Sequence, residues 1–213
     1  ADKGLDMKIV TGYSASRSSG EDANGVVARK DSNIGGWKDL AGKTTSVNAL
    51  RTQGDLTIME SAEMDGANPE DLKFSEMPFP DMEAQLDRGN VDAIWVPEPF
   101  LSRALANKDN ELVGYPNQDA IVGMPTMVSF TSGKFAEENP EVITNWKAAM
   151  AEVLDAAEGD PDAARAMLPD FINMDAKVAE GLVMETWNAE TPIPELTKLG
   201  DLAAKFGFLD KAP

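Results

Sequence analysis

The chain has no cysteine and no histidine, and only two tyrosines. Those absences remove whole chemistries. There is no Ser-His-Asp or Cys-His catalysis, no thiolate nucleophile, and no zinc site of the usual Cys/His kind, so any metal would be held by oxygen alone. Bases are also scarce: 19 Lys+Arg against 37 Asp+Glu in 213 residues leave a formal net charge of −18 at pH 7. Counterion release, which holds nucleic acid, needs clustered Lys and Arg. Nucleic acid and anionic membrane surfaces are therefore not expected partners. No apolar run approaches the roughly 20 residues of a membrane-spanning helix. The start Ala1-Asp2-Lys3-Gly4 lacks an initiator methionine and a secretory apolar core, and reads as a processed or trimmed chain. The lack of cysteine is compatible with an oxidising compartment.

What is present is enough apolar material, 42% of residues, to fill one large core or two small ones. Residues 7–10 read as a strand followed by a polar loop through Asn24, and residues 26–28 as a second strand. Strand and helix then alternate in the manner of a parallel sheet with crossover helices. Strands are expected over 44–48, 72–77 and 91–96, each feeding a helix. Thr52 stands three residues before Asp55, an N-cap arrangement for a helix reaching Met64. Asp81 is the expected cap of a short helix that stops at Gly89. After a strand over 126–131 the chain turns helical. Asn139-Pro140 starts a helix whose Val142, Ile143, Trp146, Met150, Val153 and Leu154 share a face and read as core. Asp160-Pro161 and Asp175 mark further helix starts, and Leu196, Leu199, Leu202 and Phe206 precede a stop at Gly207.

Two crossings are expected, near residues 28–32 and 112–125, which makes residues 32–112 an inserted α/β lobe and residues 1–31 with 113–213 an outer lobe. Two lobes joined by paired strands can hinge. In open α/β sheets ligands gather beyond the carboxyl ends of strands, where helix N-termini present unpaired N–H groups. Asn48-Ala49-Leu50-Arg51-Thr52-Gln53-Gly54-Asp55 meets that description, with Gly54 letting a ligand approach the backbone and Arg51 a charged donor. Pro97-Glu98-Pro99-Phe100 is the second such place, with Glu98 as its carboxylate, and Tyr13 and Ser14 follow a strand end. Plainer roles stand beside these: Thr52 and Asp55 as a helix cap, Glu98 as a charge complementing a helix dipole. Glu60, Glu63 and Asp65 read as a solvated helix face, and no acidic group has the spacing of a calcium loop.

The run Val26-Val27-Ala28-Arg29-Lys30-Asp31-Ser32, then Trp37-Lys38-Asp39-Leu40-Ala41-Gly42-Lys43, then Asp92-Ala93-Ile94-Trp95-Val96-Pro97-Glu98-Pro99-Phe100 resembles the central lobe of one family. These are the solute-binding proteins of nitrate/sulfonate/taurine-class ABC importers, a group that includes proteins resembling the thiamin-pyrimidine synthase. The ending Lys205-Phe206-Gly207-Phe208-Leu209-Asp210-Lys211-Ala212-Pro213 is similar to that family's C-terminal helix and tail. The resemblance implies an α/β, type II periplasmic-binding-protein fold whose two lobes close on a small-molecule solute and present it to a membrane permease. It further implies a periplasmic or extracytoplasmic location, with no cofactor and no catalysis. Family sequences carry a further stretch before the point where this one begins, with Gly4 to Val10 matching the middle of the outer lobe. The outer lobe is thus expected to be incomplete at its N-terminal side, with an open sheet edge, and the missing N-terminal part of the same protein is an expected partner.

Carried residue by residue, the family's cleft contacts fall on Asn48, Arg51, Thr52, Gln53 and Gly54, on Pro97 and Glu98, on Tyr13 and Ser14, and on Met124 beside Pro125. Sulfonate and nitrate binders place small hydroxyl residues and glycine where this chain has Arg51-Thr52-Gln53-Gly54-Asp55. That bulkier, partly acidic wording favours a neutral or zwitterionic organic solute, its amine near Glu98, over a simple oxyanion. Sulfonate, amino-acid-like and pyrimidine-like compounds remain in range. An enzyme like the synthase relatives would need the histidine and cysteines this chain lacks. The alternative to import is a ligand-sensing ectodomain or adaptor of a signalling system on the same fold.

Overall fold

The computed structural model describes residues 5–211, so Gly4 and the final Ala212-Pro213, which the resemblance reaches, lie outside the described residues. The strands are β1 (Lys8–Ala15), β2 (Asn24–Arg29), β3 (Thr44–Val47), β4 (Lys73–Glu76), β5 (Ala93–Pro97), β6 (Asn110–Gly114), β7 (Pro125–Thr131) and β8 (Thr186–Trp187). The helices are α1 (Gln53–Met64), α2 (Phe79–Asp87), α3 (Phe100–Ala106), α4 (Pro116–Ala120) and α5 (Gly133–Glu138), then α6 (Pro140–Gly159), α7 (Pro161–Ala166), α8 (Leu168–Ile172), α9 (Ala176–Gly181) and α10 (Ile193–Lys205).

Contacts divide the chain into two compact units, Ser18–Val122 and the pair Ala1–Arg17 with Gly123–Pro213. The inserted unit therefore begins earlier and ends later than the expected 32–112, because β2 and β6 pair within its sheet. That sheet has the order β4-β3-β5-β2-β6. β3 lies parallel to β4 and β5, whereas β2 is antiparallel to β5 and β6. The sheet is thus mixed and not parallel throughout: β3, β4 and β5 each feed a helix as expected, but β2 and β6 are the strands by which the chain enters and leaves.

Both faces of this sheet are buried, which is why its central strands read as nearly continuous apolar runs. Val26, Ala28, Val47, Ala93 and Trp95 pack with Ile34, Leu40 and Ile58. Val27, Ile94 and Val96 pack on the other side with Met82, Leu86, Leu101 and Ala104. α1 starts on a capping box, with the Thr52 side chain accepting from the Asp55 backbone and the Asp55 carboxylate accepting from Thr52 N–H. Pro78 holds the cap position of α2 and Pro80 lies in its first turn, so Asp81 lies within that turn and is not the cap expected of it.

The second unit holds a three-stranded antiparallel sheet, β7-β1-β8. β1 runs on to Ala15, through residues expected as loop. Its polar side chains are satisfied across the sheet: Thr11 Oγ1 pairs with Ser129 Oγ, and Ser14 Oγ with Thr126 Oγ1 at 2.8 Å. Gly12 is required here, because its N–H donates to Ala189 O and a Cβ would strike the Glu190 carbonyl. α6 departs most from expectation. Only Leu154 on it is buried, while Val142, Trp146 and Val153 are 51%, 48% and 62% exposed. Its apolar stripe is broad in the sequence, but the residues packed against it cover only a strip.

Candidate functional site

The strand order of the inserted unit brings several separate segments to one edge. Val47 pairs with Glu76 across parallel β3 and β4, and β3 runs parallel to β5, so the loops after these strands emerge together. Asn24 pairs with Pro97, and Val26 with Gly114, so the approach to β2 and the exit from β6 reach the same edge. Residues 48–54, Glu76, Pro97 with Glu98, Asp22 and Tyr115 therefore cluster at this edge, although they span most of the unit's sequence.

The loop after β3 is held by carboxylates of the chain itself. Leu50 N–H donates to Glu76 Oε2 at 3.1 Å, Arg51 N–H to Asp55 Oδ2 at 2.6 Å and Thr52 N–H to Asp55 Oδ1 at 2.8 Å. Thr52 Oγ1 donates to Ala49 O at 2.8 Å, and Arg51 sits in the left-handed region at φ 59°. Asn48, Leu50, Arg51 and Thr52 are exposed, Gln53 is half-buried, and Gly54 and Asp55 are buried. Burial pushes the Asp55 carboxyl above its ordinary 3.8, against the pull of the backbone N–H groups of Arg51, Thr52 and Leu56. Gly54 has a packing reason beside the one expected. A Cβ there would lie 2.7 Å from the Trp95 ring, so glycine lets α1 sit on that ring.

Trp95, buried beneath the start of α1, packs on Phe79 at 5.7 Å between ring centroids, and the half-buried Phe79 stacks in turn on half-buried Phe100 at 5.9 Å. Glu98 stands half-buried at the start of α3. Its carboxylate accepts from Ser102 N–H at 3.1 Å and Ser102 Oγ–H at 2.7 Å, and its own N–H donates to Ala23 O at 2.8 Å. Tyr115 completes this side. Burial is the largest cause raising its hydroxyl pKa, followed by the negative charge of Glu21, with Asp22 and Glu98 adding to it and the Asp22 backbone N–H lowering it. The edge thus carries a negative field from Glu21, Asp22 and Glu98 beside a phenol that stays protonated.

Tyr13, Ser14 and Met124 belong to the second unit. Tyr13 is 39% exposed, Ser14 is used by Thr126, and Met124 is fully buried, its carbonyl accepting from Ser16 N–H at 2.8 Å. Ser14 and Met124 are thus engaged in packing their own unit. Sequence reasoning missed Glu21, Asp22, Glu76 and Tyr115 as members of the edge. No spacing signal marks them, because strand order alone brings them together. A depression of about 450 Å³ at the opposite edge of this sheet is lined by Arg29, Asp87 and Asn110 among others. Arg29 there donates to Leu86 O and Val91 O, and Asn110 to Asp87 and Ala104 O, so these groups tie the end of β2 and the start of β6 to the helices beside them. Among the described residues no group of three or more acidic side chains is arranged to hold a metal ion.

With the geometry in hand, solved structures show the same fold. The periplasmic aliphatic sulphonate binding protein SsuA of Escherichia coli superposes with a TM-score of 0.76 at 16% identity, covering 99% of this chain and 72% of its own. The alkanesulfonate-binding protein SsuA of Xanthomonas axonopodis pv. citri, bound to MOPS, gives a TM-score of 0.76 at 14% identity, covering 100% and 72%. The desulfurization enzyme DszB gives a TM-score of 0.63 at 14% identity, covering 97% and 74%. The architecture is accordingly the mixed α/β fold of periplasmic binding proteins, one that also supports an enzyme. No curated protein matches the sequence. The family model described as NMT1/THI5 like matches residues 1–164, and the chain belongs to that family.

Proposed function

We propose that the protein is the extracytoplasmic solute-binding component of an ABC importer, and that it captures a small organic solute and passes it unchanged to a membrane permease. One observation carries this reading: the strand-end edge of the inserted unit gathers the 48–54 loop, the Pro97-Glu98 turn and Tyr115 on a fold shared with sulfonate-binding proteins. Strand ends of open α/β sheets are where such folds take ligands. The negative field of Glu21, Asp22 and Glu98 supports a solute with a cationic or neutral group on that side, and the half-buried rings of Phe79 and Phe100 suit an organic body. Binding without turnover fits a chain that has no histidine or cysteine for nucleophilic chemistry.

The test is a thermal-shift screen with alkanesulfonates, taurine, amino acids, pyrimidines and nitrate, since a ligand that binds only the folded state raises the midpoint by mass action. An organic solute should raise it, and should be recovered from the protein with unchanged mass. T52A and E98A should remove the rise while leaving a cooperative transition. Recovery of a converted product, or a rise equally large in both variants, overturns the reading.

A further inference from the structure

The chain carries eleven methionines and no cysteine, so the thioether is its most readily oxidised side chain. The structure sorts these sulfurs sharply. Met7, Met64, Met127 and Met167 are 52%, 66%, 52% and 66% exposed, whereas Met82 and Met124 are fully buried. Each compact unit holds both kinds, Met64 with Met82 in the inserted unit and Met127 with Met124 in the second. An oxidant must reach the sulfur lone pair, and the sulfoxide it forms is polar where the thioether is not. Water solvates that oxygen at an exposed position, but an apolar core offers it no donor. Met82 packs among Leu86, Ile94 and Val96, so a sulfoxide there would break the packing. Met64 is the last residue of α1, roughly 16 Å along the helix axis from Gln53 at the candidate loop.

We propose that Met7, Met64, Met127 and Met167 are sites of oxidative modification, at which hydrogen peroxide forms methionine sulfoxide while the fold stays intact. The sulfur lone pair takes one peroxide oxygen as the O–O bond breaks. Sulfur is oxidised by two electrons, the peroxide is reduced, and its second oxygen leaves as water with both protons. Met82 and Met124 react only when the structure opens, so the small population of open forms sets their rate. Each unit thus holds a sealed thioether that reports its opening beside exposed ones that report the oxidant. The assignment does not depend on which solute the protein takes.

The experiment treats the whole chain with hydrogen peroxide at neutral pH, stops samples with free methionine, and reads the oxygen added at each site by peptide mass spectrometry. The four exposed residues should react in one fast phase, and Met82 and Met124 at least about tenfold more slowly. The half-buried Met59, Met77, Met150, Met174 and Met184 should fall between. In urea, where the fold is gone, Met82 and Met124 should react as fast as Met64, which shows that folding and not local sequence protects them. Once the four are converted, far-UV dichroism and the melting midpoint should match untreated protein. The size-matched substitutions M7L, M64L, M127L and M167L combined should remove the fast phase. If that variant fails to fold, the site-by-site rates in wild type decide alone. Oxidation of Met82 or Met124 as fast as Met64, any of the four as slow as Met82, or loss of the cooperative transition on converting the four overturns the proposal.

Discussion

Gly54→Ala is the sharpest probe of how the loop is built. A Cβ at position 54 would lie 2.7 Å from Trp95 Cε3 and 2.9 Å from Cδ2. Carbon atoms rest about 3.5–4.0 Å apart, so the ring or the start of α1 must move by roughly an ångström. Neither moves freely. Trp95 is only 5% exposed and is backed by Phe79, and the first turn of α1 is tied through the Asp55 carboxylate to Arg51 and Thr52. Overpacking of this kind costs about 1–3 kcal/mol, and alanine returns at most ~1 kcal/mol through helix propensity. With that offset in full the net loss is up to about 2 kcal/mol, which with a urea dependence near ~3 kcal/mol/M lowers the midpoint by up to roughly 0.7 M. Urea titration followed by tryptophan fluorescence and far-UV dichroism measures it. A midpoint equal to or above wild type would show that the glycine is not there for packing, and would return Gly54 to the role of a ligand-approach residue.

Other consequences are as definite. Burial holds the folded Asp55 pKa above 3.8, so the stability tied to its protonation is complete below that value and is lost as pH rises through the folded pKa. The stability of wild type relative to D55N, measured by thermal melts, should therefore rise as pH falls from neutral through that window; a constant difference contradicts the shift. Glu98→Ala removes the acceptor for both Ser102 groups at the start of α3 and should cost about 1 kcal/mol, whereas Glu98→Gln, which keeps an oxygen acceptor, should cost clearly less; equal losses in urea titrations count against the capping role. On α6, Leu154→Ala should cost about 2–4 kcal/mol as a buried leucine, while Val153→Ala, 62% exposed, should stay within ~0.5 kcal/mol. Similar values for the two would mean that α6 packs on another face.

Much of the local structure was legible in residue order because its causes are local. Thr52 and Asp55 form the capping box their spacing suggests, and Asp160 and Asp175 accept from the first turns of α7 and α9. The apolar runs 26–28 and 93–96 mark buried strands, and Gly207 stops the last helix with φ 70°. The absence of histidine and cysteine bounded the chemistry before any fold was known. Errors arose where a neighbour far along the chain decides the outcome. α6 has the pattern of a core helix, but periodicity only says which side is apolar, and coverage depends on what is packed there. β1 continues through Thr11 and Ser14 because partners on β7 more than a hundred residues away satisfy their hydroxyls.

The candidate site divides along the same line. Loop 48–54 and Glu98 are recognisable in the sequence, since a strand end followed by a helix cap is a contiguous pattern. Glu21, Asp22, Glu76 and Tyr115 join them only because β4, β3, β5, β2 and β6 lie side by side in that order. Hydrogen bonding between strands is indifferent to distance along the chain, so that order emerges from packing. That a Cβ at Gly54 would meet an indole ring, and that the loop's amides donate to carboxylates of the chain itself, follows only from which side chains tertiary packing set beside them.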